Sequence, residues 1–230
     1  MAKKVFLGVG HGGSDPGACA NGLKEKNVNL ATALACRDEL DRHGIDVKMS
    51  REKDENDKLA DEIKECNAYG PDLAVDIHHN AGRGDGAEAY CSLSGGMSRT
   101  LATNVLSEIN KIGQNLRGVK TKKRIDGKDY YGFVRSITAP SIVLECAFLD
   151  NAKDVTIVDT AAENKAMGIA IAKGILKTLG IEWIDPTVKK EETKAPLYRV
   201  QVGAYSVKAN AEKIRKKLIE DGYSAIIVES

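Results

Sequence analysis

The chain has no C-x-x-C pair, and its five cysteines, Cys19, Cys36, Cys66, Cys91 and Cys146, are odd in number and irregularly spaced. That argues against both a disulfide framework and a cysteine zinc site, and reduced thiols are the simplest account. Net charge is nearly absent: 34 Lys and Arg against 33 Asp and Glu leave +1, so no general attraction to nucleic acid follows and none is expected as a partner. Long apolar runs are missing too. Nothing approaches the ~20 apolar residues of a membrane span, and Met1-Ala2-Lys3-Lys4 leads into a run shorter than the roughly 7–15-residue core of a secretory signal. The expectation is a chain synthesised in the cytoplasm without signal peptide or membrane span. What is present, 42% hydrophobic and 29% charged residues over a length of 230, suits a soluble globular protein with one ordinary domain and a small one.

Histidine is scarce, four residues in all, and three of them fall in two strand-end stretches. The apolar run Val5 to Leu7 reads as a buried strand that empties into a glycine-rich turn around His11. Gly8-Val9-Gly10-His11-Gly12-Gly13 has the spacing of a dinucleotide turn, but there the helix opens on the last glycine and an acidic residue follows roughly 20 residues on. Here Ser14-Asp15-Pro16-Gly17 prolongs the loop, and the next strand ends in Ser50-Arg51. A second run, Leu73 to Ile77, ends in His78, His79 and Asn80; a third, Ser141 to Leu144, ends in Glu145; Glu25 opens a patterned helix. Strands alternating with helices predict an α/β fold, a doubly wound, mostly parallel sheet flanked by helices. In such a sheet the carboxyl ends of the strands line one edge, so these residues can share a site. Two histidines and one glutamate with an open position form the ligand set of a catalytic zinc, and a further glutamate suits the general base of a zinc hydrolase. Neighbours on a strand face opposite ways, so only one of His78 and His79 should reach a metal. Cys146, among Val143, Leu144 and Phe148, reads as a buried, inert thiol rather than a nucleophile.

Taken together these stretches resemble the zinc-dependent N-acetylmuramoyl-L-alanine amidases of bacteria and phages. The resemblance rests on GHGGSDPGA at Gly10 to Ala18, Glu25 in GLKEKNVNL, IHHNA at Ile77 to Ala81 and PSIVLECAFLDN at Pro140 to Asn151, and runs from about Val5 to Gly180. It implies Zn2+ held by His11, Glu25 and His78, with Glu145 as the catalytic carboxylate. It also implies peptidoglycan as substrate, cut between N-acetylmuramic acid and the L-alanine of the stem peptide. Where the family usually has serine this chain has Asp76, and His79 replaces a small residue. The alternatives are a zinc peptidase cutting the stem peptide and a non-enzymatic peptidoglycan-binding protein; the complete set of four counts against a pure binder. Without a signal peptide the enzyme would reach the cell wall after release, as a phage or prophage endolysin does, or when a mother cell lyses.

Helices are expected from about Lys24 to His43, with Val28, Ala31, Leu34, Ala35 and Leu40 as the apolar stripe, from about Asn56 to Ala68, after Gly95-Gly96 through Leu101, Val105 and Ile109 to about Ile112, and from Glu163 to Leu179. Ile45 to Met49 reads as a strand and Ala87 to Ser92 as an edge strand. The pattern weakens from Gly113 to Ala139. Its basic residues Arg117, Lys120, Lys122, Lys123 and Arg124 read as a solvated loop or, with Tyr130, Tyr131 and Phe133, as the border of a substrate groove. Residues 184–196, IDPTVKKEETKAP, read as a linker between a catalytic domain, 1–183, and a segment, 197–230. In VQVGAY, NAEKIRKKL and GYSAIIV that segment resembles half of a SPOR module, which implies cell-wall binding. Its expected strand, helix and strand form a βαβ unit below the ~40 residues at which isolated domains usually fail. Pairing with a second copy, a homodimer through the segment, is expected to complete the sheet.

Overall fold

Runs of Val, Ile and Leu bounded by glycine and polar turns become the strands of a sheet covered on both faces. The computed structural model describes residues 2–185 and 200–228, which belong to two units, Met1–Asp185 and Pro186–Ser230. The first unit runs β1 (Lys4–Val9), β2 (Cys19–Ala20), β3 (Leu23–Lys24), α1 (Glu25–Arg42), β4 (Asp46–Met49), α2 (Leu59–Tyr69) and β5 (Leu73–Asn80). It continues with β6 (Ala87–Cys91), α3 (Met97–Lys111), β7 (Leu116–Lys120), α4 (Gly132–Ser136), β8 (Ser141–Phe148), α5 (Ala152–Val155) and α6 (Ala161–Leu179). Six strands form one sheet in the order β4-β1-β5-β8-β6-β7. The first four are parallel, β6 is antiparallel to β8, and β7 is parallel to β6.

Side chains alternate across this sheet. Val5, Leu7, Val9, Leu73, Val75, Ile77, Ile142 and Leu144 pack on the face covered by α1, α3 and α6, while Phe6, Ala74 and Val143 meet Cys66 of α2 and Phe133 and Val134 of α4 on the other. The doubly wound, mostly parallel architecture expected from the sequence is therefore present.

Three details differ from the expectation. Strand β6 is not an edge: β7, drawn from the weakly patterned basic stretch, lies outside it. LRGVK is mostly exposed or half-buried, so it lacks the apolar alternation that marks a strand. The buried stripe of α1 is rotated to Val28, Asn29, Thr32, Ala33, Cys36 and Leu40, because two polar residues on it find partners inside; Thr32 Oγ1 donates to Asn164 Oδ1 of α6 at 3.3 Å. Helix α2 starts at Leu59, not Asn56, since Asn56 Oδ1 instead accepts from Ser14 N at 2.9 Å and anchors the loop around His11.

The second unit holds α7 (Lys208–Glu220), none of whose residues is buried. Residues 200–207 and 221–228 form no strand, and the expected βαβ unit reduces to its helix among the described residues. A strand exists through its pairing, and Val200, Val202, Ile226 and Val228 stand exposed without a ladder. Residues 186–199, most of the expected linker, lie outside the described residues.

Helix α6 opens on a capping box, Thr160 with Glu163, and ends at the left-handed Gly180. It lies close against α3 because Gly174 carries no side chain: a Cβ there would fall on the backbone of Val105. Gly174→Ala should therefore lower stability by about 1–3 kcal/mol, read as a lower urea midpoint, and an unchanged midpoint would mean that the two helices separate freely.

Candidate metal centre

Parallel pairing of β1, β5 and β8 brings their carboxyl ends to one edge, where Gly10 N donates to Ile77 O at 3.1 Å and His78 stands opposite Glu145 in register. At that edge His11, Glu25 and His78 converge, with one ligand atom from each lying within 4.8 Å of the others. Glu25 stands in the middle. Its Oε2 is 3.1 Å from His11 Nε2 and its Oε1 is 3.0 Å from His78 Nδ1, and the two imidazoles meet edge to face at 5.1 Å.

Each member is held from behind. His11 has a left-handed backbone, φ 62°, a conformation that costs a residue with a side chain on the order of 1 kcal/mol and persists only where the surroundings impose it. They do so here: Gly12 and Asp15 exchange backbone hydrogen bonds of 2.9 and 3.0 Å, and Asp15 Oδ2 lies 2.8 Å from His11 Nδ1. Glu25 accepts from Ala18 N at 2.8 Å and His79 N at 3.1 Å. Gly10 and Gly17 leave room for the rings, since a Cβ at Gly10 would enter the His78 imidazole and one at Gly17 would lie 2.6 Å from His11 Cδ2. Arg51, 2% exposed, ties the frame together by donating to the carbonyls of Val9, Gly10, Lys26 and Lys53 at 2.8 to 3.2 Å.

His79 points away. Its Nδ1 lies 2.7 Å from Asn29 Oδ1, while Asn29 Nδ2 donates to Gly10 O at 2.9 Å. Burial lowers its pKa to about 4, so it packs against α1 as a neutral ring. The cluster itself favours positive charge. Glu25 raises the pKa of His11; burial opposes charge on His78, but Asp76, Glu25 and Glu145 outweigh it and raise its pKa well above the usual value. Burial likewise opposes charge on Glu25, yet His11 and His78 hold its carboxyl well below the ordinary range. Two imidazole nitrogens and a carboxylate oxygen in a spot that attracts positive charge fit a divalent cation of the zinc type.

Glu145 stands apart from that trio. Burial pushes its carboxyl up to about 7, opposed by His78 and reinforced by Glu25, Asp76 and Glu88, so near neutral pH it can both take up and release a proton. Glu88 is its neighbour in register on β6 and is bound by Arg117 Nε at 2.6 Å and by Lys120. Of the aromatic residues expected at a groove, Tyr130 is exposed with Lys122 Nζ 3.8 Å from its ring centroid, and Tyr131 packs on Tyr90 at 4.7 Å. Phe133 is buried in the core instead. Cys146 is fully buried and its thiol is pushed well above the usual range by burial, as an inert thiol requires. Sequence reasoning passed over Arg51 and Asn29. Asn29 could have been found as the polar residue one turn after Glu25 on the same helix face; nothing local marks Arg51.

The profile of the N-acetylmuramoyl-L-alanine amidase family matches residues 5–177, and that of the SPOR domain matches residues 170–229. The sporulation-specific N-acetylmuramoyl-L-alanine amidase of Bacillus subtilis (strain 168) is 31% identical over 98% of this chain and 84% of its own. The endolysin of Bacillus phage SPP1 is 31% identical over 78% of this chain and 69% of its own. Among solved structures, Cwp6 from Clostridium difficile superposes with a TM-score of 0.77 at 38% identity, covering 78% of this chain and 30% of that longer one.

Asn29→Ala removes the partner of His79 Nδ1 and one donor to Gly10 O, both buried. It should cost about 1–3 kcal/mol, visible as a shifted urea transition; an unshifted transition would show that water replaces both bonds.

Proposed function

Because the chain belongs to the N-acetylmuramoyl-L-alanine amidase family and is a peptidoglycan hydrolase, we propose that it works with Zn2+ held by His11, Glu25 and His78, and with Glu145 as the proton carrier. The observation that carries this reading is the Glu25 carboxylate set between His11 Nε2 and His78 Nδ1. A zinc ion bound there supplies Lewis acidity toward water and the amide carbonyl. Glu145, opposite His78 on the neighbouring strand, accepts the proton of the attacking water and returns it to the leaving amine of L-alanine. The rings of Tyr90, Tyr131 and Tyr130 and the ammonium of Lys122 supply flat faces and positive charge for sugar and peptide.

For the remainder of the chain, residues 184–196 serve as linker and 197–230 as a wall-binding segment. Its exposed Val200, Val202, Ile226 and Val228 are suited to burial against a second copy. Action on the wall follows release by lysis, in keeping with an endolysin and a sporulation-specific amidase among the relatives.

One set of variants tests the centre. His11→Ala and His78→Ala should lose zinc by elemental analysis while His79→Ala keeps it; loss only in the last would shift the ligand register to His79. Glu145→Gln should keep zinc and lose at least ~100-fold in rate, with mass spectrometry of parent digests showing stem peptides that begin at L-alanine. Since the base must be deprotonated, parent activity should rise with pH through a midpoint at or below about 7, below because a bound cation favours the carboxylate. Near-normal turnover of Glu145→Gln removes that residue from the reaction.

A chain ending at Trp183 tests the tail. By light scattering the full chain should be a dimer and the shortened one a monomer that cleaves soluble wall fragments but pulls down less with intact walls. A monomeric full chain, or undiminished wall binding by the shortened one, overturns that part.

A further inference from the structure

Asp76 lies on β5 two residues before His78, so both side chains project from the same face of the strand. It is 4% exposed. Its Oδ2 lies 3.3 Å from His78 Nε2, while His78 Nδ1 lies 3.0 Å from Glu25 Oε1. The ring thus lies between two carboxylates, hydrogen-bonded to Glu25 at Nδ1 and within ion-pair distance of Asp76 at Nε2. His11 has the same arrangement in mirror order, with Asp15 on Nδ1 and Glu25 on Nε2. A neutral imidazole keeps one proton, and the nitrogen that carries it is chosen by the acceptor beside it, leaving the lone pair on the other. With Glu25 engaged by a cation, Asp76 is the acceptor left to the ring, and a proton held at Nε2 leaves the lone pair of Nδ1 facing Glu25 and His11.

The rear of Asp76 is equally specific. Its Oδ1 and Glu62 Oε1 are both buried without a hydrogen-bond partner, and both crowd the space that Gly8 leaves: a Cβ on Gly8 would lie 2.8 Å from Asp76 Oδ1 and closer still to Glu62 Oε1. Burial first, and the charge of Asp76 second, raise Glu62 well above the usual carboxylate range, which favours its neutral form over a second negative charge beside Asp76. Two carboxyl groups alone do not make a second cation site, and among the described residues the only cluster of three or more candidate ligands is His11, Glu25 and His78. Of the two oxygens of Asp76, Oδ2 faces His78 Nε2 at 3.3 Å, while Oδ1 has no hydrogen-bond partner.

We propose that Asp76 is a positioning residue that accepts the Nε2 proton of His78 and so fixes Nδ1 as the nitrogen offered to the cation. This rests on the zinc reading above. The test is zinc affinity of the full chain, by competition with a chromogenic chelator, for the parent, Asp76→Ala, Asp76→Asn and His78→Ala. Asp76→Ala should bind zinc about 10- to 100-fold more weakly, and Asp76→Asn, whose amide oxygen can still accept, should recover most of that loss. Parent-like affinity in Asp76→Ala overturns the proposal, as does an asparagine variant no better than the alanine one. Ring-nitrogen NMR of the zinc-loaded parent checks the same point without a variant: a proton on Nε2 is expected, and a proton on Nδ1 overturns it. Zinc lost in His78→Ala but kept in Asp76→Ala defeats this inference alone, whereas a parent that binds no zinc defeats the metal reading and this inference together.

Discussion

The first unit is arranged around one buried carboxylate. Glu25 is 4% exposed and would be costly to desolvate unless charge and hydrogen bonds met it from several sides. They come from His11 after β1, Ala18 in the following loop, Asn29 one turn further along α1, and His78 and the His79 amide on β5. Since those groups belong to elements that must already be paired, the glutamate can be accommodated only in the finished sheet. Its burial thus couples the local chemistry to the global topology.

That coupling explains the unusual polarity of the α1 face. An amphipathic helix on a sheet ordinarily buries an apolar stripe, yet Asn29 and Thr32 are fully buried here. Both act as spacers of fixed length, Asn29 reaching the backbone of the His11 loop and the ring of His79, Thr32 reaching Asn164 on α6. The helix trades apolar area for hydrogen bonds that fix its rotation, and with it the direction in which Glu25 points.

How much of this the sequence displays depends on whether a residue acts locally. Strand ends punctuated by glycine and histidine are readable because hydrophobic run, breaker and polar side chain lie within a few positions, which is why His11, His78 and Glu145 could be placed at one sheet edge from the chain alone. The alternation of side chains along β5 likewise separates His78 from His79. Strand β7 was hidden since an outer strand with exposed residues has no apolar signature, and Arg51 because its four acceptors are backbone carbonyls that no side-chain pattern encodes. Asp76 stood out in sequence as a departure, but Glu62, which crowds the same space beside Gly8, comes from another element and only the fold brings the two near each other. In the tail the helix was legible from its periodicity, whereas strands depend on a pairing that composition does not specify.

The guanidinium of Arg51 spans carbonyls from the end of β1, the first turn of α1 and the loop after β4. Three segments that would otherwise fluctuate independently are thereby made into one stiff cradle before any ion arrives. A cation bound as proposed would have little chain to order there and would keep most of its coordination free energy rather than losing part of it to frozen backbone. The same stiffness would let such a cation leave and return while the sheet stays intact.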